Sequence, residues 1–121
     1  MAKKIMIIDD AASMRQVISL TLKGGGFDFV EAGDGQEALD KLEGELIDLF
    51  VCDVNMPNMD GLTFLGEIRK SEKHKFTPFI MLTTEIGEDI KQKGKDLGAN
   101  AWIVKPFKPE QLLEAVKKMI N

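Results

Sequence analysis

Five short apolar runs alternate with amphipathic stretches along the chain, and this rhythm is the strongest constraint on the fold. The runs cover residues 5–8, 27–32, 46–52, 79–82 and 101–104. They are short enough for strands, and the third is apolar enough to be buried on both faces. After the first run, Met14, Val17, Ile18, Thr21 and Leu22 recur at helical spacing until Gly24-Gly25-Gly26 ends the helix. Residues 36–42 form a short helix closed by Gly44, and residues 61–70 carry Leu62, Leu65 and Ile68 on one stripe. Residues 86–97 make a weaker helix with a thin stripe of Ile86, Ile90 and Leu97, weakened further by Gly87 and Gly94. Leu112, Leu113, Val116, Met119 and Ile120 mark a last helix entered at Pro109. Alternating β and α units predict an α/β fold, a doubly wound parallel sheet of five strands with helices on both faces.

A chain of 121 residues is expected to be one domain, residues 1–121, with a single core. The net charge of -4 gives no basic footprint for nucleic acid. No apolar run nears the roughly 18 residues of a membrane span. The basic start Met1-Ala2-Lys3-Lys4 leads into an apolar run that stops at Asp9, too short for a secretory signal. A cytoplasmic protein is expected, with neither membrane nor nucleic acid as partner. The lone Cys52 cannot form an internal disulfide and, inside the third strand, reads as core. His74, in the polar stretch of residues 71–75, reads as an exposed loop residue and as neither ligand nor proton carrier.

In such sheets the ligand site lies beyond the carboxyl ends of the strands. Asp9 and Asp10 follow the first strand, Asp53 the third, Thr83 the fourth and Lys105 the fifth. Several have a plain structural explanation taken alone: Asp10 as a helix N-cap, Thr83 with Thr84 as a helix start, Lys105 as a solvated loop charge. Independent caps and loop charges have no reason to converge on one sheet edge, so the joint placement favours a site. Two unit charges about 4 Å apart repel by about 4 kcal/mol at an effective dielectric of 20. Three carboxylates therefore call for a cation, and oxygen-only ligands suit a hard one such as Mg²⁺. A carboxylate can also act as a nucleophile toward phosphorus, and Lys105 and Thr83 supply the charge and the hydroxyl that phosphoryl transfer uses.

Taken together, several segments of the chain resemble the receiver domains of response regulators in two-component signalling. They are Ile7-Ile8-Asp9-Asp10, Ser13-Met14-Arg15, Cys52-Asp53-Val54-Asn55-Met56-Pro57-Asn58-Met59-Asp60-Gly61, Leu82-Thr83 and Val104-Lys105-Pro106-Phe107. The resemblance covers the whole chain and implies a flavodoxin-like strand order of 2-1-3-4-5. It implies that Asp53 accepts a phosphoryl group, that Asp10 binds Mg²⁺ directly and Asp9 mainly through water, and that the Asn55 backbone carbonyl completes the protein ligands. Lys105 would contact one phosphoryl oxygen and Thr83 another, and the Lys105–Pro106 bond would be cis. Thr83 and Trp102 would form the switch, moving toward the phosphoryl group and inward. Asn55 and Glu85, each two positions past a key residue, match receivers of the chemotaxis type with fast hydrolysis. The implied partners are a histidine kinase and a flagellar motor switch protein or another phospho-dependent target, with a phosphatase as a third. The face of the fourth helix, fifth strand and fifth helix would meet the target. Two positions depart from the family: Trp102 replaces Tyr or Phe, so no phenol oxygen is present, and Thr84 stands where smaller residues are commoner.

Other functions fit less well. A stand-alone phosphorelay receiver would pass the phosphoryl group to a histidine phosphotransfer domain and also needs Asp53. An aspartate-nucleophile phosphatase wants a second acid where Asn55 stands, and a cap domain. A flavodoxin phosphate would be repelled by Asp9 and Asp10, and a DNA-binding regulator is not expected, because this sequence runs to Met119-Ile120-Asn121 without an output segment. The chain reads as no enzyme beyond catalysis of its own phosphorylation and dephosphorylation.

Overall fold

The computed structural model describes residues 2–120. Five strands, β1 (Lys4–Ile8), β2 (Asp28–Ala32), β3 (Leu49–Cys52), β4 (Phe79–Thr83) and β5 (Ala101–Val104), alternate with five helices. The helices are α1 (Ala12–Gly24), α2 (Gly35–Leu42), α3 (Gly61–Arg69), α4 (Glu88–Asp96) and α5 (Pro109–Ile120). Every pairing is parallel, and the order is β2-β1-β3-β4-β5, as expected. β1 is paired on both sides, with Ile8 in register with Ala32 of β2 and with Cys52 of β3.

Strand side chains alternate faces, so the central strands feed two cores. Met6, Ile8, Phe50, Cys52, Phe79 and Met81 face one side and pack with Ala38 of α2 and Phe64, Leu65 and Ile68 of α3. Ile5, Ile7, Leu49, Val51, Ile80 and Leu82 face the other, against Ile18 and Leu22 of α1 and Leu112 and Val116 of α5. Burial on both faces is why these strands read as continuous apolar runs rather than alternating ones. Among the described residues, no helix is long and apolar enough to cross a membrane.

Three expectations need correction. The third strand begins at Leu49, not at residue 46: Leu46 is 66% exposed, and the Ile47 N–H donates to the His74 ring rather than to a neighbouring strand. The fourth helix begins at Glu88, with Gly87 as its N-cap, and Ile86 lies outside it, 68% exposed. His74 is buried, 2% exposed, and stacks edge-on to Phe50 with ring centroids 5.5 Å apart. Its Nε2 accepts the Ile47 N–H at 3.2 Å, and its carbonyl accepts Arg69 Nη1 at 2.9 Å. The neighbours Glu72, Lys73 and Lys75 are exposed, and the chain turns only the imidazole inward.

Candidate functional site

Parallel strands carry their carboxyl ends to one edge of the sheet, and the acidic residues meet there. Carboxylate oxygens of Asp9, Asp10 and Asp53 lie within 4.8 Å of one another. Asp9 is 2% and Asp53 8% exposed, while Asp10 faces solvent. Lys105, brought in from the end of β5, donates to Asp9 Oδ2 at 2.6 Å and to Asp53 Oδ2 at 2.9 Å. Burial by itself would lower the pKa of Lys105. The bonds and charges of Asp9 and Asp53 outweigh that and raise it above its ordinary value, so the ammonium stays charged.

Local sequence aims each group. The Asp53 N–H donates to the Ile8 carbonyl at 2.9 Å, extending the β1–β3 ladder by one residue beyond Cys52. Asp53 Oδ1 accepts the Val54 N–H at 2.6 Å and the Asn55 N–H at 3.3 Å, which leaves Oδ2 facing Lys105. Gly61 is required behind this turn, because a Cβ there would stand 2.0 Å from the Asp53 carbonyl oxygen. Asp60 caps α3 by accepting the Thr63 N–H at 2.8 Å, a contribution of about 1 kcal/mol. The Lys105 N–H donates to the Thr83 carbonyl at 2.9 Å, and the Lys105–Pro106 bond is cis, as expected.

Thr83 is fully buried, and its Oγ1 accepts the Glu85 N–H at 3.2 Å. Neither Thr83 nor the exposed Thr84 starts a helix. Asp10 is not the cap of α1; Ala11 holds that position without a side-chain bond, and it is Asp9 Oδ1 that accepts the Ala11 N–H at 2.9 Å. Glu85 is a junction that sequence reasoning noticed only by position. Besides its bond to Thr83, its Oε2 lies 3.5 Å from Asn55 Nδ2, its Oε1 accepts the Gly87 N–H at 3.2 Å, and its carbonyl accepts Trp102 Nε1 at 3.0 Å. Trp102 is partly buried, and both it and Ile90 of α4 pack against the core on the α2–α3 side of the sheet. Cys52 is core, as expected: burial first, then the nearby Asp53 and Asp9 charges, push its thiol pKa well up and leave it neutral.

The donor set is oxygen-only, with two carboxylates nearly buried and one open to solvent. That chemistry fits a hard divalent cation approached from the Asp10 side and is poorly suited to zinc or copper.

The family pattern described as the response regulator receiver domain matches residues 5–117. Chemotaxis protein CheY of Pseudomonas aeruginosa is 38% identical over 119 residues, covering 98% of this chain and 96% of that protein. The alkaline phosphatase synthesis transcriptional regulatory protein PhoP of Bacillus subtilis is 38% identical over 121 residues, 100% of this chain but 50% of that protein. The chain thus spans half the length of PhoP and nearly all of CheY. Among solved structures, chemotaxis protein CheY4 of Vibrio cholerae superposes with a TM-score of 0.94 at 42% identity, covering 99% of this chain and 100% of that one.

Proposed function

The chain belongs to the response regulator receiver family of two-component signalling, and from that premise we propose that it is a chemotaxis switch driven by phosphorylation of Asp53. The observation that carries the reading is the Lys105 ammonium shared between Asp9 and Asp53, with Asp10 alongside. A sheet gains nothing from gathering one cation and three carboxylates at its edge, whereas phosphoryl transfer to a carboxylate uses all four. The chemotaxis part is supported by a match over 96% of the length of a chemotaxis relative.

In this reading Asp53 Oδ2 forms the new P–O bond while the P–N bond of a histidine kinase's phosphohistidine breaks, its electron pair staying with the imidazole. Asp9, Asp10, Asp53 and the Asn55 backbone carbonyl would hold Mg²⁺, which would supply positive charge to offset that of the phosphoryl group. Lys105 turns from Asp9 toward a phosphoryl oxygen, and the Thr83 hydroxyl leaves the Glu85 N–H to donate to another. Glu85 is bonded to Thr83, Asn55 and Trp102 alike, so a displaced Thr83 changes the restraint on the indole and on the α4–β5–α5 face. The two states present different surfaces, and a flagellar motor switch protein binds one of them more tightly. Asn55 and Glu85, whose side chains meet at 3.5 Å, shorten the life of the phospho-form. The chain works in the cytoplasm and turns over no released substrate.

The test is intact mass after addition of a small phosphodonor with and without Mg²⁺, with Trp102 fluorescence followed in parallel. A gain of one phosphoryl group that requires Mg²⁺ and vanishes in Asp53→Ala is expected. The gain should decay more slowly in Asn55→Ala and Glu85→Ala; an unchanged decay removes their role. No gain with any donor would overturn the switch reading.

A further inference from the structure

We infer that Arg15 is a positioning residue for the acidic cluster: it ties the Asp9 carbonyl to Glu31 and so sets the turn that aims the Asp9 and Asp10 carboxylates at a cation. The inference rests on the cation-site reading above. Arg15 lies in the first turns of α1, and its guanidinium reaches two other elements. Nη1 donates to the Asp9 carbonyl oxygen at 2.5 Å, and Nε donates to Glu31 Oε1 on β2 at 3.1 Å. The ion pair is partly exposed, with side chains 21% and 39% accessible, and as a surface pair it adds little stability. Its geometry matters more than its energy.

Every polar atom of Asp9 is engaged. The N–H donates to the Ala32 carbonyl at 3.1 Å, Oδ1 accepts from Ala11, Oδ2 from Lys105 and the carbonyl from Arg15. The Asp9 carbonyl belongs to the peptide unit that joins Asp9 to Asp10. Peptide units are planar, so holding that oxygen fixes the plane between the two acidic residues. Asp10 is exposed, and among the described residues its side chain has no bond to orient it. Arg15 is therefore the side chain that fixes the direction from which Asp10 leaves the chain, and Glu31 holds Arg15 in place. A planar fork does this where an ammonium cannot, because it satisfies both partners in a fixed geometry.

Charge alone predicts the opposite outcome. A guanidinium beside three carboxylates repels an incoming cation, so removing it should tighten binding; if Arg15 positions the site, removing it loosens binding.

The experiment is calorimetric titration of the full chain with MgCl₂ at fixed ionic strength, comparing wild type, Arg15→Met and Arg15→Lys, with thermal unfolding of each in the absence of Mg²⁺. Both variants should bind about tenfold more weakly, the usual effect of losing a group that orients a metal ligand. Unchanged or tighter binding in Arg15→Met, or wild-type affinity in Arg15→Lys, overturns the inference. Should Arg15→Met fail to fold, Arg15→Lys decides alone, because it keeps the charge and removes only the fork. Absence of Mg²⁺ binding in wild type would overturn the cation-site reading itself and this inference with it.

Discussion

The indole N–H of Trp102 donates to the carbonyl of Glu85 at 3.0 Å, while the far edge of the same ring lies against Gly94 of α4. The ring is thus held at both ends. A methyl group on Gly94 would stand 2.8 Å from Trp102 Cζ3 and 3.4 Å from Cε3. Gly94→Ala gains about 1 kcal/mol of helix propensity but overpacks the contact at a cost of about 2 kcal/mol. The expected result is a net loss of about 1 kcal/mol in chemical denaturation and a red-shifted Trp102 emission as the indole is pushed outward. Raised stability with unchanged emission would mean that α4 moves instead of the ring.

Lys105→Met should destabilise the protein in the absence of divalent cations by about 3 kcal/mol, because Asp9 would be left buried with its charge unpaired. Added Mg²⁺ should then raise the melting temperature of the variant by more than that of wild type, since no ammonium competes for Asp9 Oδ2 and Asp53 Oδ2. Equal Mg²⁺ responses in thermal unfolding would show that Lys105 and the cation do not share these oxygens.

His74 gives the fold a pH dependence with a definite sign. Burial first, and the Lys73 charge second, lower its pKa below 6.5 in the folded chain. Its Nε2 accepts a hydrogen bond, so the buried form is the neutral one. As pH falls below about 6.5, the unfolded chain takes up the proton before the folded one does, and stability is lost. Above that pH this contribution is complete. His74→Leu should lower stability by about 1 kcal/mol at neutral pH, leaving the Ile47 N–H without its acceptor, and should flatten the decline between pH 7.5 and pH 5. Urea denaturation at the two pH values measures both effects.

Asn58 adopts a left-handed backbone, φ 64°, and its Nδ2 donates to Asp34 Oδ2 at 2.8 Å, joining the loop after Asp53 to the cap of α2. Asn58→Ala loses the bond and strains the backbone; Asn58→Gly loses only the bond. Stabilities should rank Asn, then Gly, then Ala, with about 1 kcal/mol between the last two. Equal losses in both variants would show that the backbone shape contributes nothing.

The strands and the edge at which they end were legible in the sequence because parallel strands covered on both faces leave unbroken apolar runs, and Ile5–Ile8 and Phe79–Leu82 are such runs. Asp9, Asp10, Asp53, Thr83 and Lys105 were legible for the same reason: each follows a run, and a parallel sheet brings run ends together. Boundaries set by single long-range bonds were not. Leu46 and Ile47 are as apolar as a strand, yet the Ile47 N–H turns to His74, which lies 27 positions away. The polar neighbours of His74 hid its inward ring, because a single inward side chain has no periodicity.

The sequence by itself determined the α/β class, the number of strands and the identity of the residues at the sheet edge, since these follow from local apolarity and chain order. Tertiary structure alone decided that Lys105 pairs with Asp9 across 96 positions, that Arg15 grips the Asp9 carbonyl, and that Glu85 meets Thr83, Asn55 and Trp102 together. Those contacts depend on directions and distances between side chains carried by different elements, and such geometry exists only once the two cores have locked the helices against the sheet.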